Sequence, residues 1–247
     1  MLESRLLMSH LLLQDITWMM GHPDTPLSLS QSDTFFALTE RRLNGEPLAY
    51  ITGKMAFYDI ELNINPSVLI PRPETECLVE LVLSCLDTSQ PLSLLDLGTG
   101  SGAIALSIAK ARPDWKITAT DISGDALFLA QHNAKRLGLN QIKFLKSDWF
   151  SKLSANEQYD VIVSNPPYIA TDDPHLRQLG FEPLLALTSG QDGLDALKTL
   201  ITQAPPYLRK GGLLICEHGY NQAKACYQLF KSCGYHDIRC TQDLAGI

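Results

Sequence analysis

From residue 92 onward the chain alternates short apolar runs with helical stretches, and that alternation constrains its fold more than any other feature. Leu92–Leu97, Lys116–Asp121, Ile142–Leu145, Tyr159–Ser164 and Gly212–Glu217 read as strands. Ala103–Ala111, Gly124–Leu137, Leu194–Ala204 and Asn221–Cys233 read as helices. Unbroken apolar strands are buried on both faces, and helices between successive strands make the sheet parallel. The expected class is α/β, a Rossmann-like, mostly parallel sheet with helices on both faces. Ligands of such sheets lie beyond the carboxyl ends of the strands, and every motif discussed below falls there.

The first part of the chain has a different texture. Leu6, Leu13, Phe35, Leu38 and Leu43 fall at helical spacings, with a break at Gly21-His22-Pro23. Ser30 is expected to cap a helix that runs through Arg41-Arg42 and ends at Gly45. Phe35 and Phe36 read as core. A β-rich stretch follows from Phe57 to Ile70, broken at Asn65-Pro66, and Pro71-Arg72-Pro73-Glu74 holds the chain extended until a helix starts near Thr75. Asp87 to Pro91 reads as a linker. The expected organisation is a helical N-terminal domain plus β-hairpin over 1–74 and a ligand-binding domain over 75–247.

Asp96-Leu97-Gly98-Thr99-Gly100-Ser101-Gly102 joins the first of these strands to its helix. Glycines let the backbone approach a ligand closely, and the helix N-terminus offers free N–H groups. Gly98-x-Gly100-x-x-Ala103 also satisfies the dinucleotide pattern, so an NAD oxidoreductase is open at this point. The acids favour S-adenosylmethionine. Asp121, closing the next strand, suits ribose hydroxyls; Asp148 suits an adenine amino group and Trp149 offers a flat face for the ring.

Asn165-Pro166-Pro167-Tyr168 ends the strand Val161-Ile162-Val163-Ser164. Two prolines fix φ and remove two backbone donors. What remains is a rigid loop of acceptors, the Asn165 side-chain oxygen and the Pro166 carbonyl, beside the aromatic wall of Tyr168. That arrangement suits a planar –NH₂ group held against a methyl donor. Hydride transfer has no use for it.

A net charge of −7 and a pI near 5.3 weigh against a nucleic-acid partner, whose binding draws on Lys and Arg. The six cysteines show no C-x-x-C pair or metal-ligand spacing, so no metal is expected and a reducing, cytoplasmic location is. The apolar run Leu11 to Leu13 is flanked by His10 and Asp15 and makes no membrane span. A monomer is expected.

The motifs together resemble the HemK/PrmC family. Gly45-Glu46-Pro47-Leu48-Ala49-Tyr50-Ile51-Thr52-Gly53, Phe57-Tyr58 and Leu69-Ile70-Pro71-Arg72-Pro73-Glu74-Thr75-Glu76 carry the likeness. So do Asp173-Pro174-His175-Leu176, Phe181-Glu182-Pro183 and Glu217-His218-Gly219. The resemblance implies a class I methyltransferase that methylates the side-chain amide nitrogen of the glutamine in the Gly-Gly-Gln motif of peptide chain release factors. It implies that Gly98 to Gly102, Asp121, Asp148, Trp149 and Asn165 bind the cofactor. Asn165, Pro166, Pro167 and Tyr168 would hold the glutamine, with Asn165, Pro166 and Tyr168 at the chemistry and the N-terminal domain on the release factor. Asn-Pro-Pro-Tyr is shared with adenine amino-methyltransferases of nucleic acids, and a sister group modifies a ribosomal protein. The Arg-Pro-Glu-Thr-Glu run at 72–76 favours the release-factor branch. The chain stops at Ile247, right after Asp243-Leu-Ala-Gly, with no residues for the family's last antiparallel strand, so either a truncated chain or an exposed sheet edge is expected. Arg72 and Glu74 could order the site as an ion pair, meet substrate, or form a solvated pair; His175 and His218 are expected in local hydrogen bonds.

Overall fold

The computed structural model describes residues 2–86 and 90–242. The linker expected at 87–91 lies outside it at 87–89, as does the end of the chain from Asp243. The structure divides into two compact units, residues 1–54 and 55–247. Residues 55–74, expected with the N-terminal domain, fall by their contacts in the larger unit.

The smaller unit is helical: α1 (Leu2–Leu12), α2 (Ile16–Gly21), α3 (Leu29–Leu43) and α4 (Leu48–Thr52). The cap of α3 is Ser28 and not the expected Ser30. Ser28 Oγ accepts the Gln31 N–H at 3.1 Å while Gln31 Oε1 accepts the Ser28 N–H at 2.9 Å. This reciprocal box needs Glu or Gln three residues on, where Ser30 has the shorter Asp33. The helix ends at Gly45 as expected, with φ +93° and its N–H on the Arg42 carbonyl. Phe36 is 69% exposed, so the core reading of that residue is wrong. Neighbours on a helix point about 100° apart, and the buried apolar side chains described here are Leu7, Ala49, Tyr50 and Ile51.

In the larger unit a hairpin, β1 (Lys54–Phe57) and β2 (Ile60–Asn63), precedes α5 (Glu76–Ser84). There follow β3 (Ser93–Leu97), α6 (Ala103–Ala111), β4 (Lys116–Asp121), α7 (Gly124–Arg136) and β5 (Lys143–Lys146). Next come β6 (Tyr159–Ser164), α8 (Asp195–Gln203), β7 (Leu208–Cys216) and α9 (Ala223–Ser232). Strands β3 to β7 form one sheet in the order β5-β4-β3-β6-β7, every neighbouring pair parallel. Successive strands run outward from β3 on one side and then resume at β6 on the other. Right-handed crossovers place α6 and α7 on one face and α8 on the opposite one. Leu95, Leu97 and Ile162 pack with Leu200 of α8 in the core on that side. Strand β7 begins at Leu208 and not at Gly212: Leu208 pairs with Tyr159, and a register shift separates that pair from Val161 and Leu213.

The hairpin is tied to the sheet by Asn133 of α7, which is fully buried. Its Oδ1 accepts the Asn63 N–H at 2.8 Å, and its Nδ2 donates to the carbonyls of Asn63 and Ser101, both at 3.0 Å. One side chain thus joins β2 to the glycine turn after β3.

Candidate active site

The turn after β3 takes the left-handed conformation at Gly98 (φ +74°), Gly100 (+56°) and Gly102 (+88°). Two of these glycines do different work. A Cβ on Gly100 would meet nothing within 4 Å, so the backbone there borders open space. A Cβ on Gly102 would stand 2.8 Å from Leu106 Cδ1, so that glycine permits close helix packing and lies outside the cavity wall.

A cavity of about 420 Å³ lies against this turn, lined by Gly98, Thr99, Gly100 and Ser101. The ends of the next three strands close it with Asp121, Asp148, Trp149 and Asn165. Asp121 shapes the turn directly. Its Oδ2 accepts the Gly100 N–H and its Oδ1 the Ser123 N–H, both at 2.9 Å. Burial nevertheless raises its carboxyl above the ordinary range, with these backbone bonds opposing the rise. Trp149 holds φ +45°, an uncommon backbone for an aromatic residue. Ser147 holds it there, donating from Oγ to the Trp149 carbonyl at 2.7 Å. Ile122 also lines the cavity and is 45% exposed, an apolar face the sequence reading did not single out.

Beneath the turn, Asp96 is fully buried, and burial pushes its carboxyl up to about 7. Its Oδ2 accepts the Thr99 hydroxyl at 2.6 Å; Oδ1 has no hydrogen-bond partner among the described residues. A folded-state pKa raised above the unfolded value means stability that is complete below about pH 4 and lost as pH climbs through 7. Between pH 5 and 8 the ligand-free protein should lose roughly 2–3 kcal/mol from this group. Burial raises the carboxyls of Asp121 and Glu217 in the same direction. Urea denaturation at several pH values checks this: Asp96→Asn should flatten the decline, and an unchanged decline would remove Asp96 as its source.

Asn165 lines this cavity and also a second one of about 260 Å³, walled by Pro166, Pro167, Tyr168, Arg72 and Leu179. The four residues of the Asn-Pro-Pro-Tyr loop therefore line a space next to the glycine turn. The loop is clamped from behind. Gln222, buried, donates from Nε2 to the Tyr168 carbonyl at 2.9 Å, and Gly193 packs directly on that carbonyl.

Motifs far apart in sequence meet around this loop. Asn165 Nδ2 donates to Thr75 Oγ1 at 2.9 Å, and Thr75 Oγ1 donates to Glu217 Oε2 at 2.8 Å. The Tyr168 hydroxyl donates to Glu217 Oε1 at 3.1 Å. Burial raises the Glu217 carboxyl, and burial with the Glu217 charge raises the Tyr168 hydroxyl. Arg72 pairs with the buried Glu182, not with Glu74, and Glu182 Oε2 also accepts the Ile70 N–H at 3.0 Å. This pins the 69–73 segment over the second cavity. His175 Nδ1 is bonded to Asp173 at 2.7 Å, and His218 Nδ1 to the Gly219 carbonyl at 2.9 Å. Neither lines a cavity described here.

Comparison with known proteins bears on the same chain. Residues 1–53 match the PrmC N-terminal domain and residues 77–178 the methyltransferase small domain. The release factor glutamine methyltransferase of Xylella fastidiosa is 46% identical over 98% of this chain and 88% of its own length. The belonging is plain from that match. This chain is a member of the release factor glutamine methyltransferase family.

The proteins of the same name from Coxiella burnetii and Escherichia coli are 45% and 44% identical, over 100% and 98% of the chain and 88% and 87% of their own lengths. Solved structures agree on the fold. A methyltransferase from Pyrococcus furiosus superposes with a TM-score of 0.54 at 20% identity, covering 82% of this chain and 91% of that one. An S-adenosylmethionine-dependent methyltransferase from Agrobacterium tumefaciens gives 0.55 at 18%, covering 73% and 57%. The expected α/β class, mostly parallel sheet and methyltransferase fold are as observed. In this family member, four polar residues escaped the sequence reading as site components: Thr75, Glu182, Glu217 and Gln222. Three sit inside the quoted family motifs, which is the signal that marks them.

Proposed function

We propose that the chain transfers a methyl group from S-adenosylmethionine to the side-chain amide nitrogen, N5, of the Gly-Gly-Gln glutamine of peptide chain release factors. The observation that carries the reading is Asn165, which lines both cavities at once. The residues of the larger cavity fit the cofactor. Asp121 and Asp148 offer carboxylates for its ribose and adenine amino group, and Ile122 and Trp149 offer apolar faces for the ring. When bound, S-adenosylmethionine supplies an electrophilic methyl group.

The protein's own part is orientation and charge stabilisation. An amide nitrogen is a weak nucleophile because its lone pair is delocalised, and positive charge develops on it during transfer. The Asn165 Oδ1 and the Pro166 carbonyl accept its two hydrogens, stabilising that charge. The two prolines hold these acceptors fixed, so little reorganisation is left for the reaction. Tyr168 and Arg72, the latter held by Glu182, bound the second cavity, which we assign to the glutamine side chain. The proton leaves to water, and no side chain is needed as a base. We assign the N-terminal unit, and with it the hairpin, to release-factor contact, and the chain to the cytoplasm as a monomer without direct nucleic-acid binding. No described helix is long and apolar enough to cross a membrane.

Asp121→Ala should weaken S-adenosylmethionine binding about a hundredfold, ~2.7 kcal/mol, as a charged acceptor of two hydroxyls is lost. Calorimetric titration measures this, and unchanged affinity would move the ribose elsewhere. The substrate class is tested by offering labelled methyl donor with a release factor and with RNA and DNA. Label that protease removes and nuclease does not supports the reading; nuclease-sensitive label would replace it with adenine methylation.

A further inference from the structure

An asparagine amide presents an acceptor at one end and a donor at the other, and only the acceptor serves a substrate –NH₂ group. Something must therefore decide which end of Asn165 faces the substrate. Thr75, just before α5, is 3% exposed, and Glu217, just after β7, lines neither cavity. Glu217 accepts at both carboxylate oxygens, from Thr75 at 2.8 Å and from Tyr168 at 3.1 Å. With its hydrogen committed to Glu217, Thr75 Oγ1 is left as an acceptor and takes Asn165 Nδ2 at 2.9 Å. Turning the amide over would press Asn165 Oδ1 against the lone pairs of Thr75.

We infer that Glu217, acting through Thr75, is a positioning residue that fixes the polarity of Asn165 and so turns Oδ1 toward the glutamine. The chain of bonds has one direction because a carboxylate at its end can only accept. Removing that acceptor frees the Thr75 hydrogen for Asn165 Oδ1, and the amide then presents –NH₂ to –NH₂. The inference rests on the assignment of Asn165 as the glutamine clamp. It adds that a residue outside both cavities sets the clamp's direction, and that the Arg-Pro-Glu-Thr-Glu and Glu-His-Gly motifs meet the Asn-Pro-Pro-Tyr loop for that purpose.

The test compares Glu217→Met with Glu217→Gln in the full chain, reading kcat on a release factor and S-adenosylmethionine affinity by calorimetry. Methionine keeps the length and removes the acceptor; glutamine keeps one acceptor for Thr75. Glu217→Met should lose about thirtyfold in kcat with cofactor affinity within about threefold, and Glu217→Gln should stay within about threefold in both. Glu217→Met active at the wild-type rate, or the two variants equally impaired, would overturn the inference. Should Glu217→Met fail to fold, Thr75→Val and Thr75→Ser take its place. Valine should cost at least about tenfold in kcat and serine, which keeps the hydroxyl, less than about threefold; equal rates would overturn it. Wild-type protein inactive on glutamine would instead defeat the clamp assignment itself, which separates the two failures.

Discussion

Replacing Asn165 by alanine is expected to lower kcat by roughly 10²–10³-fold, ~3–4 kcal/mol, the scale of losing one fixed polar group aimed at developing charge. S-adenosylmethionine affinity should fall by less than about tenfold, ~1.4 kcal/mol, because the glycine turn, Asp121 and Trp149 are untouched. The asymmetry follows from where the residue sits. Asn165 stands in the wall shared by two cavities, whereas the ribose and adenine groups assigned above stand in one. Folding should survive, since Thr75 keeps its bond to Glu217. Single-turnover rates beside a binding isotherm measure both quantities. Near-wild-type turnover would rule out the amide clamp.

Gly193→Ala should be the most damaging small substitution near the site, although Gly193 lines neither cavity. Its φ is +74°, and a Cβ there would stand 2.2 Å from the Tyr168 carbonyl oxygen and 2.8 Å from Gln222 Nε2. The left-handed backbone alone costs an L-residue about 1 kcal/mol. The clash adds more, because the Tyr168 peptide is backbone on a proline-stiffened loop and cannot swing aside like a side-chain tip. Moving it also breaks the bond from Gln222, worth about 1 kcal/mol. We expect ~3 kcal/mol of destabilisation in total and at least a tenfold loss in kcat. Gly138→Ala is the control: its φ is also +74°, yet a Cβ there meets nothing within 4 Å. Urea melts of the two variants should differ by about 2 kcal/mol. Equal melts would mean the Tyr168 loop yields more easily than its contacts imply.

The sheet was readable from sequence because its signals are local. Ala103–Ala111, Lys116–Asp121 and Tyr159–Ser164 fall on the expected residues. An apolar strand, a glycine turn and a terminal acid each announce themselves within a few positions, and the parallel topology gathers them at one edge. The network behind Asn165 was not readable in that way. Thr75 and Glu217 are 142 residues apart, and neither has a periodicity or a spacing that points to the other. Arg72 found Glu182, 110 residues away, and not its sequence neighbour Glu74, because the fold brings the 69–73 segment over the second cavity. In the N-terminal helices the failure was one of geometry. Phe35 and Phe36 read as a core pair, but adjacent helical residues diverge, and Phe36 turned outward. The Ser28 cap prevailed over Ser30 through a side chain three positions on.

Methylation of one side-chain amide in a release factor is best checked by peptide mass spectrometry after incubating the protein with S-adenosylmethionine and unmodified release factor. The expected result is the added mass of a single methyl group, confined to the peptide that carries Gly-Gly-Gln and located on its glutamine. A methyl group on any other residue, or none at all from protein that binds the cofactor, would contradict it.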